Sequence, residues 1–245
     1  MSDRLVLAGS RVLLVGIGGL GCPAAIVLAR AGVGTIGIAD DDVVDLTNLH
    51  RQVLFTEADV GKPKVPAAAR ALERLVPGVR IEAHTTRLLP HNAVGLAGQY
   101  DVIVEGSDNF ATKFLAADAC RIARRPVVHG AAVRWHGTAL AVGPNGAPCY
   151  RCLFEDLPRE NAPNCAEAGV VGPMVGVVGA AQADLALAVL RGRDVYGTLF
   201  TFDGKTLASR RRKIPARASC RLCGPAREIR AIDATRYAAA PACAP

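Results

Sequence analysis

The chain has 245 residues, with 29 Lys and Arg against 22 Asp and Glu, a formal charge of +7 and 51% hydrophobic residues. That length suits one large α/β domain, or one domain with a modest appendage, and the composition excludes a mostly disordered chain. Aromatics make up only 4%, too few to interleave with the basic residues as a base-stacking surface. The charge therefore reads as serving an acidic partner, an anionic substrate or a solvated face, with no nucleic acid.

The first ten residues, "MSDRLVLAGS", carry neither an export nor a transit pattern, which predicts a soluble, cytoplasmic protein. Apolar β-type runs over 12–16, 35–40, 79–84, 101–106 and 126–133 then alternate with stretches over 21–31, 66–76, 91–96 and 109–123. The latter start near Pro, Asn or Gly and are rich in Ala, Leu and Arg, which predicts helices. Strand and helix in repetition predict a Rossmann-like, doubly wound α/β fold whose mainly parallel sheet is covered on both faces.

After Trp135 the pattern changes. "HGTALAVGPNGAPCYRC" reads as strand, Gly/Pro turn and cysteine loop, and 198–215 as a hairpin around Asp203-Gly204, so these strands are expected to be antiparallel. "LFEDLPRENAPNCAEAG" has no clean period and reads as a loop on the side of the site. The run over 170–190 is long enough to cross a bilayer at ~1.5 Å per residue. Gln182, Asp184 and its Gly and Pro residues read it instead as a buried helix packed closely on another element or protomer, with no membrane span. Residues 1–224 read as a single domain, 1–135 its nucleotide-binding half and 136–224 its cysteine-bearing half, and 225–245 as a flexible tail.

Gly16, Gly18 and Gly21 form G-x-G-x-x-G, with Gly19 inside it, between a strand and a helix. In that context backbone N–H groups approach a phosphate at a helix N-terminus. Asp40 closes the second strand 19 residues after Gly21, where an acid takes a ribose hydroxyl pair. These features alone leave NAD and ATP both open, as well as a glycine turn used only for packing. Asn48, Arg51 and Lys64 follow in a long irregular connection, and cations gathered beside the turn suit a triphosphate. Asp108 stands just past the strand over 101–106, where it can hold Mg²⁺ against phosphate oxygens or, with Asn109, cap a helix.

Cys149 and Cys152 make one C-x-x-C pair, Cys220 and Cys223 another. Two such pairs point to a tetrahedral Cys₄ zinc site, structural because four thiolates leave no open position. Two separate redox pairs are the alternative, although neither opens a helix in a thioredoxin-like context. Cys165, in "APNCAEAG", reads either as an exposed nucleophile or as an ordinary loop cysteine. Cys22 and Cys120 fall in helices and are expected to be packed.

"GIGGLGCP", "DDVVDLTNLHRQ", "VGKPKV", "GSDN", "CYRC", "NCAEAGVVGPMVGVVG" and "CRLCG" together resemble the MoeB/ThiF/HesA adenylyltransferases, relatives of the ubiquitin-activating enzymes, from Arg11 to about Gly224. The resemblance implies an enzyme that uses Mg-ATP to adenylate the C-terminal glycine of a small ubiquitin-like (β-grasp) sulfur-carrier protein ending in Gly-Gly. Pyrophosphate leaves, and thiocarboxylate formation follows with sulfur from a separate donor. It implies a ribose-binding role for Asp40, with Asp42 two positions on, a triphosphate-binding set of Asn48, Arg51 and Lys64, and Asp108 as Mg²⁺ ligand. In one branch a cysteine matching Cys165 is linked to the carrier. A homodimer is implied, with the 136–224 half binding the carrier. Family members place an N-terminal arginine in the neighbouring protomer's site, and Arg4 is the sole candidate here. The rival readings are an NAD-dependent oxidoreductase and a catalytically idle carrier-binding scaffold.

Overall fold

The computed structural model describes residues 3–157 and 169–237; Cys165 and Cys243 lie outside the described residues. Among these, eight strands form one sheet: β1 (Arg11–Val15), β2 (Thr35–Ala39), β3 (Arg80–His84), β4 (Val102–Glu105), β5 (Val127–Val133), β6 (His136–Val142), β7 (Thr198–Asp203) and β8 (Ala208–Lys213). Their order across the sheet is β3-β2-β1-β4-β5-β6-β7-β8. The first five pair in parallel and the last three in antiparallel fashion. The strand order reverses between β1 and β4, and a crevice opens there outside the carboxyl ends of the strands.

Successive strand residues face opposite layers. Val12 and Leu14 of β1 join Ile36, Ile38, Val102 and Val104 in one buried cluster with helices α2 (Gly21–Arg30), α3 (Lys64–Leu75) and α7 (Gly172–Leu190). Leu13 and Val15 join Ile103 in the other, with α4 (Ala93–Gly98) and α5 (Phe110–Ile122). Each fully buried Leu or Ile in these layers contributes about 1.5–3 kcal/mol. The short helices α1 (Asp3–Ala8) and α6 (Tyr150–Leu153) are the other α-helices among the described residues. α3 starts at Lys64, two residues before the expected helix. Pro66 sits in its first turn, where a missing N–H breaks no helical bond.

α7 has the length and mean hydropathy of a membrane span. It is a core helix, with Met174, Val178, Gln182 and Leu185 buried. Glycines on the strands make this possible: a Cβ at Gly137 would lie 2.2 Å from Val178, and one at Gly130 2.2 Å from Gln182.

Residues 225–237 depart from the tail expected over 225–245. Ile229 and Tyr237 are buried, and the Tyr237 hydroxyl donates to Asp118 Oδ2 at 2.7 Å. Arg151, 1% exposed, donates to the same carboxylate through Nε (2.8 Å) and Nη2 (2.9 Å). Two apolar anchors and a shared buried carboxylate thus hold the chain onto α5 as far as Tyr237.

Candidate functional site

A cleft of about 390 Å³ lies at the carboxyl ends of β1, β2 and β4. Its floor is the glycine turn. Gly16 has φ +88°, open to glycine at little cost. A Cβ at Gly21 would meet the Gly16 carbonyl oxygen at 2.1 Å, and one at Gly19 would meet Val175 of α7 at 3.2 Å. Gly16, Gly18 and Gly19 line the cleft, whereas Gly21 packs below it.

Asp40 fastens this turn to the end of β2. Its Oδ2 accepts the Ile17 N–H at 2.8 Å, and its Oδ1 the Asp42 N–H at 2.9 Å. Each oxygen keeps a lone pair for a further donor such as a ribose hydroxyl. Asp41 and Asp42 bring their carboxylates within 4.8 Å of it. Two cations offset this charge. Lys64, 5% exposed at the start of α3, reaches Asp42 at 2.9 Å. Arg87 Nε donates to both Asp41 oxygens at 2.9 and 3.0 Å, and that hydrogen bond raises the arginine above its ordinary range.

Arg51 lines the cleft, and Asn48, which does not, holds it through an Oδ1 that accepts from Arg51 Nη2. Gln52 is 4% exposed and also lines the cleft, and its Oε1 has no hydrogen-bond partner among the described residues. Asp108 and Asn109 separate cleanly in role. Asn109 caps α5, its Oδ1 accepting the Thr112 N–H at 2.8 Å. Asp108 is exposed on the cleft wall. Arg87, Gln52 and the groups beneath Asp108 were not singled out by sequence. Arg87 meets its partner across 46 residues, and the adjacency of Gln52 to Arg51 was the one signal available.

Beneath the cleft lies a buried polar cluster centred on Glu105, which is fully enclosed. Glu105 Oε1 accepts from the Ser107 N–H at 2.8 Å and from Ser107 Oγ. Its Oε2 accepts from Lys113 Nζ at 2.9 Å and faces His129 Nδ1 at 3.2 Å. Burial pushes the Glu105 carboxyl up, but Lys113, His129 and Ser107 overcome it and bring it down to about 2 from an ordinary 4.5. Burial pushes His129 below its ordinary range, against the pull of Glu105. A depressed carboxyl contributes stability above its unfolded pKa and loses it as pH falls toward the folded one. Glu105→Gln is therefore expected to cost about 3–5 kcal/mol at neutral pH, because it leaves the Lys113 charge unpaired. The difference in Tm between wild type and variant should shrink on acidification from about pH 5 to about pH 2. A gap unchanged over that range, followed by circular dichroism, would contradict the assignment.

The four cysteines converge between α6 and the 217–224 turn. Cys149 Sγ lies 3.9 Å from Cys152 and 3.5 Å from Cys220, and Cys152 lies 3.4 Å from Cys223. A tetrahedral zinc with Zn–S bonds of about 2.3 Å separates its sulfurs by about 3.8 Å, so the donor set and spacing fit that metal. The shortest approaches run between the two pairs, as a shared centre requires and two separate redox pairs do not. The Arg217 N–H also donates to Cys152 Sγ at 3.4 Å.

These features define a doubly wound α/β domain with an acid- and cation-lined glycine-turn cleft and a four-cysteine knuckle. The ThiF family model matches residues 2–222, and the chain belongs to that family. It is 44% identical over 230 residues to an adenylyltransferase and sulfurtransferase MOCS3 of Anopheles gambiae, covering 92% of this chain and 52% of the relative. Against MOCS3 of Danio rerio it is 40% identical over 228 residues, covering 91% and 50%. The chain thus spans about half the length of the curated relatives it matches. Among solved structures, Escherichia coli MccB superposes with a TM-score of 0.80 at 20% identity, covering 91% of this chain and 69% of MccB. PaaA superposes with a TM-score of 0.73 at 22% identity, covering 86% and 66%. These two structures speak for the fold.

Proposed function

We propose that this chain is a Mg-ATP-dependent adenylyltransferase that activates the C-terminal glycine of a small ubiquitin-like sulfur-carrier protein. The observation that carries this reading is the gathering of Arg51, Lys64 and Asp108 around one glycine-turn cleft, together with family membership. The carrier carboxylate is ionised at neutral pH, so its attack on the α-phosphate needs no general base. Anion meeting anion is the obstacle. Arg51 and Lys64 offset the charge that develops on the phosphate oxygens, and the glycine turn positions them with its N–H groups. Asp108 supplies a hard oxygen ligand suited to Mg²⁺, which when bound neutralises phosphate charge. Asp40 orients the ribose.

In this reading the Cys₄ knuckle holds a structural zinc and the enzyme is a cytoplasmic homodimer. Cys165, outside the described residues, serves as a covalent attachment point for the activated carrier. Ligand-dependent melting tests the nucleotide. At a concentration about 100-fold above Kd, Mg-ATP should stabilise the fold by about 2.7 kcal/mol, a rise in Tm of roughly 5–10 °C. Stabilisation by NAD instead would replace adenylylation with a dehydrogenase reading. Pyrophosphate exchange that depends on a carrier ending in Gly-Gly then separates an active enzyme from an idle scaffold.

A further inference from the structure

Asp108 sits on a three-residue turn between β4 and the cap of α5, and its two chain neighbours are both pinned. Asn109 is held by its bond from the Thr112 N–H at 2.8 Å. Ser107 is held by Glu105, which takes its N–H at 2.8 Å and its hydroxyl on the same oxygen. Gly106 is fixed as well: its N–H donates to Val15 O at 2.9 Å, and a Cβ on Gly16 would lie 3.3 Å from its carbonyl carbon.

The Glu105 carboxylate divides its work between its two oxygens. Oε1 serves the turn, and Oε2 serves the scaffold through Lys113 of α5 and His129 of β5. Lys113 Nζ also donates to Gly130 O at 2.5 Å. The Glu105 carbonyl receives Gln182 Nε2 of α7 at 2.8 Å. One residue therefore joins the turn to α5, β5 and α7. We propose that Glu105 is a positioning residue, whose carboxylate holds the 106–108 turn so that Asp108 presents its oxygens to the Mg²⁺ of the bound nucleotide. The proposal rests on the adenylylation reading above.

The chemistry of the side chain makes the role specific. Both sides of Glu105 face donors, and only a carboxylate offers an acceptor to each. A carboxamide offers one oxygen and one NH₂, so it can satisfy either the turn or the scaffold and must set its own donors against the other. Bonds from Ser107 to an ionised acceptor are also stronger than to a neutral one.

The test follows thermal stabilisation by a non-hydrolysable ATP analogue while MgCl₂ is titrated, a readout independent of turnover. Glu105→Gln is expected to raise the Mg²⁺ concentration for half-maximal stabilisation about tenfold. The half-saturating analogue concentration at saturating Mg²⁺ should change by less than about threefold. Asp108→Asn should shift the Mg²⁺ response in the same direction, and adding Glu105→Gln to it should shift the response no further, because one residue acts through the other. Should Glu105→Gln fail to fold, Ser107→Ala removes one of the two turn bonds and should raise the Mg²⁺ requirement by a smaller factor. A folded Glu105→Gln or Ser107→Ala with the wild-type Mg²⁺ response, or additive shifts in the double variant, would overturn the proposal. Wild-type protein that shows no stabilisation at any Mg²⁺ concentration would overturn the adenylylation reading instead.

Discussion

Asp108→Ala is expected to abolish carrier-dependent pyrophosphate exchange while leaving the fold intact. The carboxylate is exposed on the cleft wall, and the α5 cap belongs to Asn109. Its removal therefore breaks no cap, and a surface change of this kind shifts stability by less than about 0.5 kcal/mol. Catalysis is another matter. Transfer between two anions depends on compensating charge placed before reaction, and losing one such group typically costs about 10²–10³ in rate. The assay is exchange of labelled pyrophosphate into ATP with a carrier ending in Gly-Gly, alongside a melting curve. Full exchange in a folded Asp108→Ala variant would remove this residue from the mechanism.

Cys220→Ser should release about one zinc per chain and destabilise the protein by several kcal/mol. Structural zinc sites contribute about 10–16 kcal/mol of binding energy to folding in small peptides, and typical domains are stable by only about 5–15 kcal/mol. Cys220 is 3% exposed and Cys149 1%, so the failure of the site would open a buried layer. The damage would spread further, because Arg151 lies between the cysteines of the first pair and holds the Asp118 carboxylate that also receives Tyr237. Metal content by mass spectrometry and Tm in the same preparation check both parts. A variant that kept its full zinc content would exclude Cys220 as a ligand.

Local signals carried the strands of the sheet. Each of the five parallel strands agrees with its apolar run within a residue at either end; β2 and β4, buried along their whole length, read as continuous apolar runs, whereas the edge strand β3 is only partly buried and carries Arg80, Glu82 and His84. The glycine turn and Asp40 were equally plain, since their spacing is fixed by one βαβ unit. The two cysteine pairs converge as their paired spacing suggested. What sequence did not reveal depends on distant partners. Glu105 meets His129 across 24 residues, and Arg151 meets Asp118 across 33. A lone buried charge has no periodicity to announce it. The 225–237 segment read as a tail because its apolar residues are few and interspersed with charged ones, and only their burial in the α5-side layer reveals Ile229 and Tyr237 as anchors. Asp108 and Asn109 are adjacent candidates for one cap, and backbone geometry rather than residue type assigned it to the second.

The glycines of the turn differ in what a side chain at each would meet. A methyl group at position 21 would strike the turn's own carbonyl, and one at 19 would press on α7. Gly21 would be needed in an empty domain, and at Gly19 the Val175 side chain would have to give by a few tenths of an ångström. At Gly18 a methyl group would touch nothing nearer than the Gln52 amide, at 3.6 Å, an ordinary contact. Of the three, Gly18 is the position where the chain keeps space that its own fold does not use.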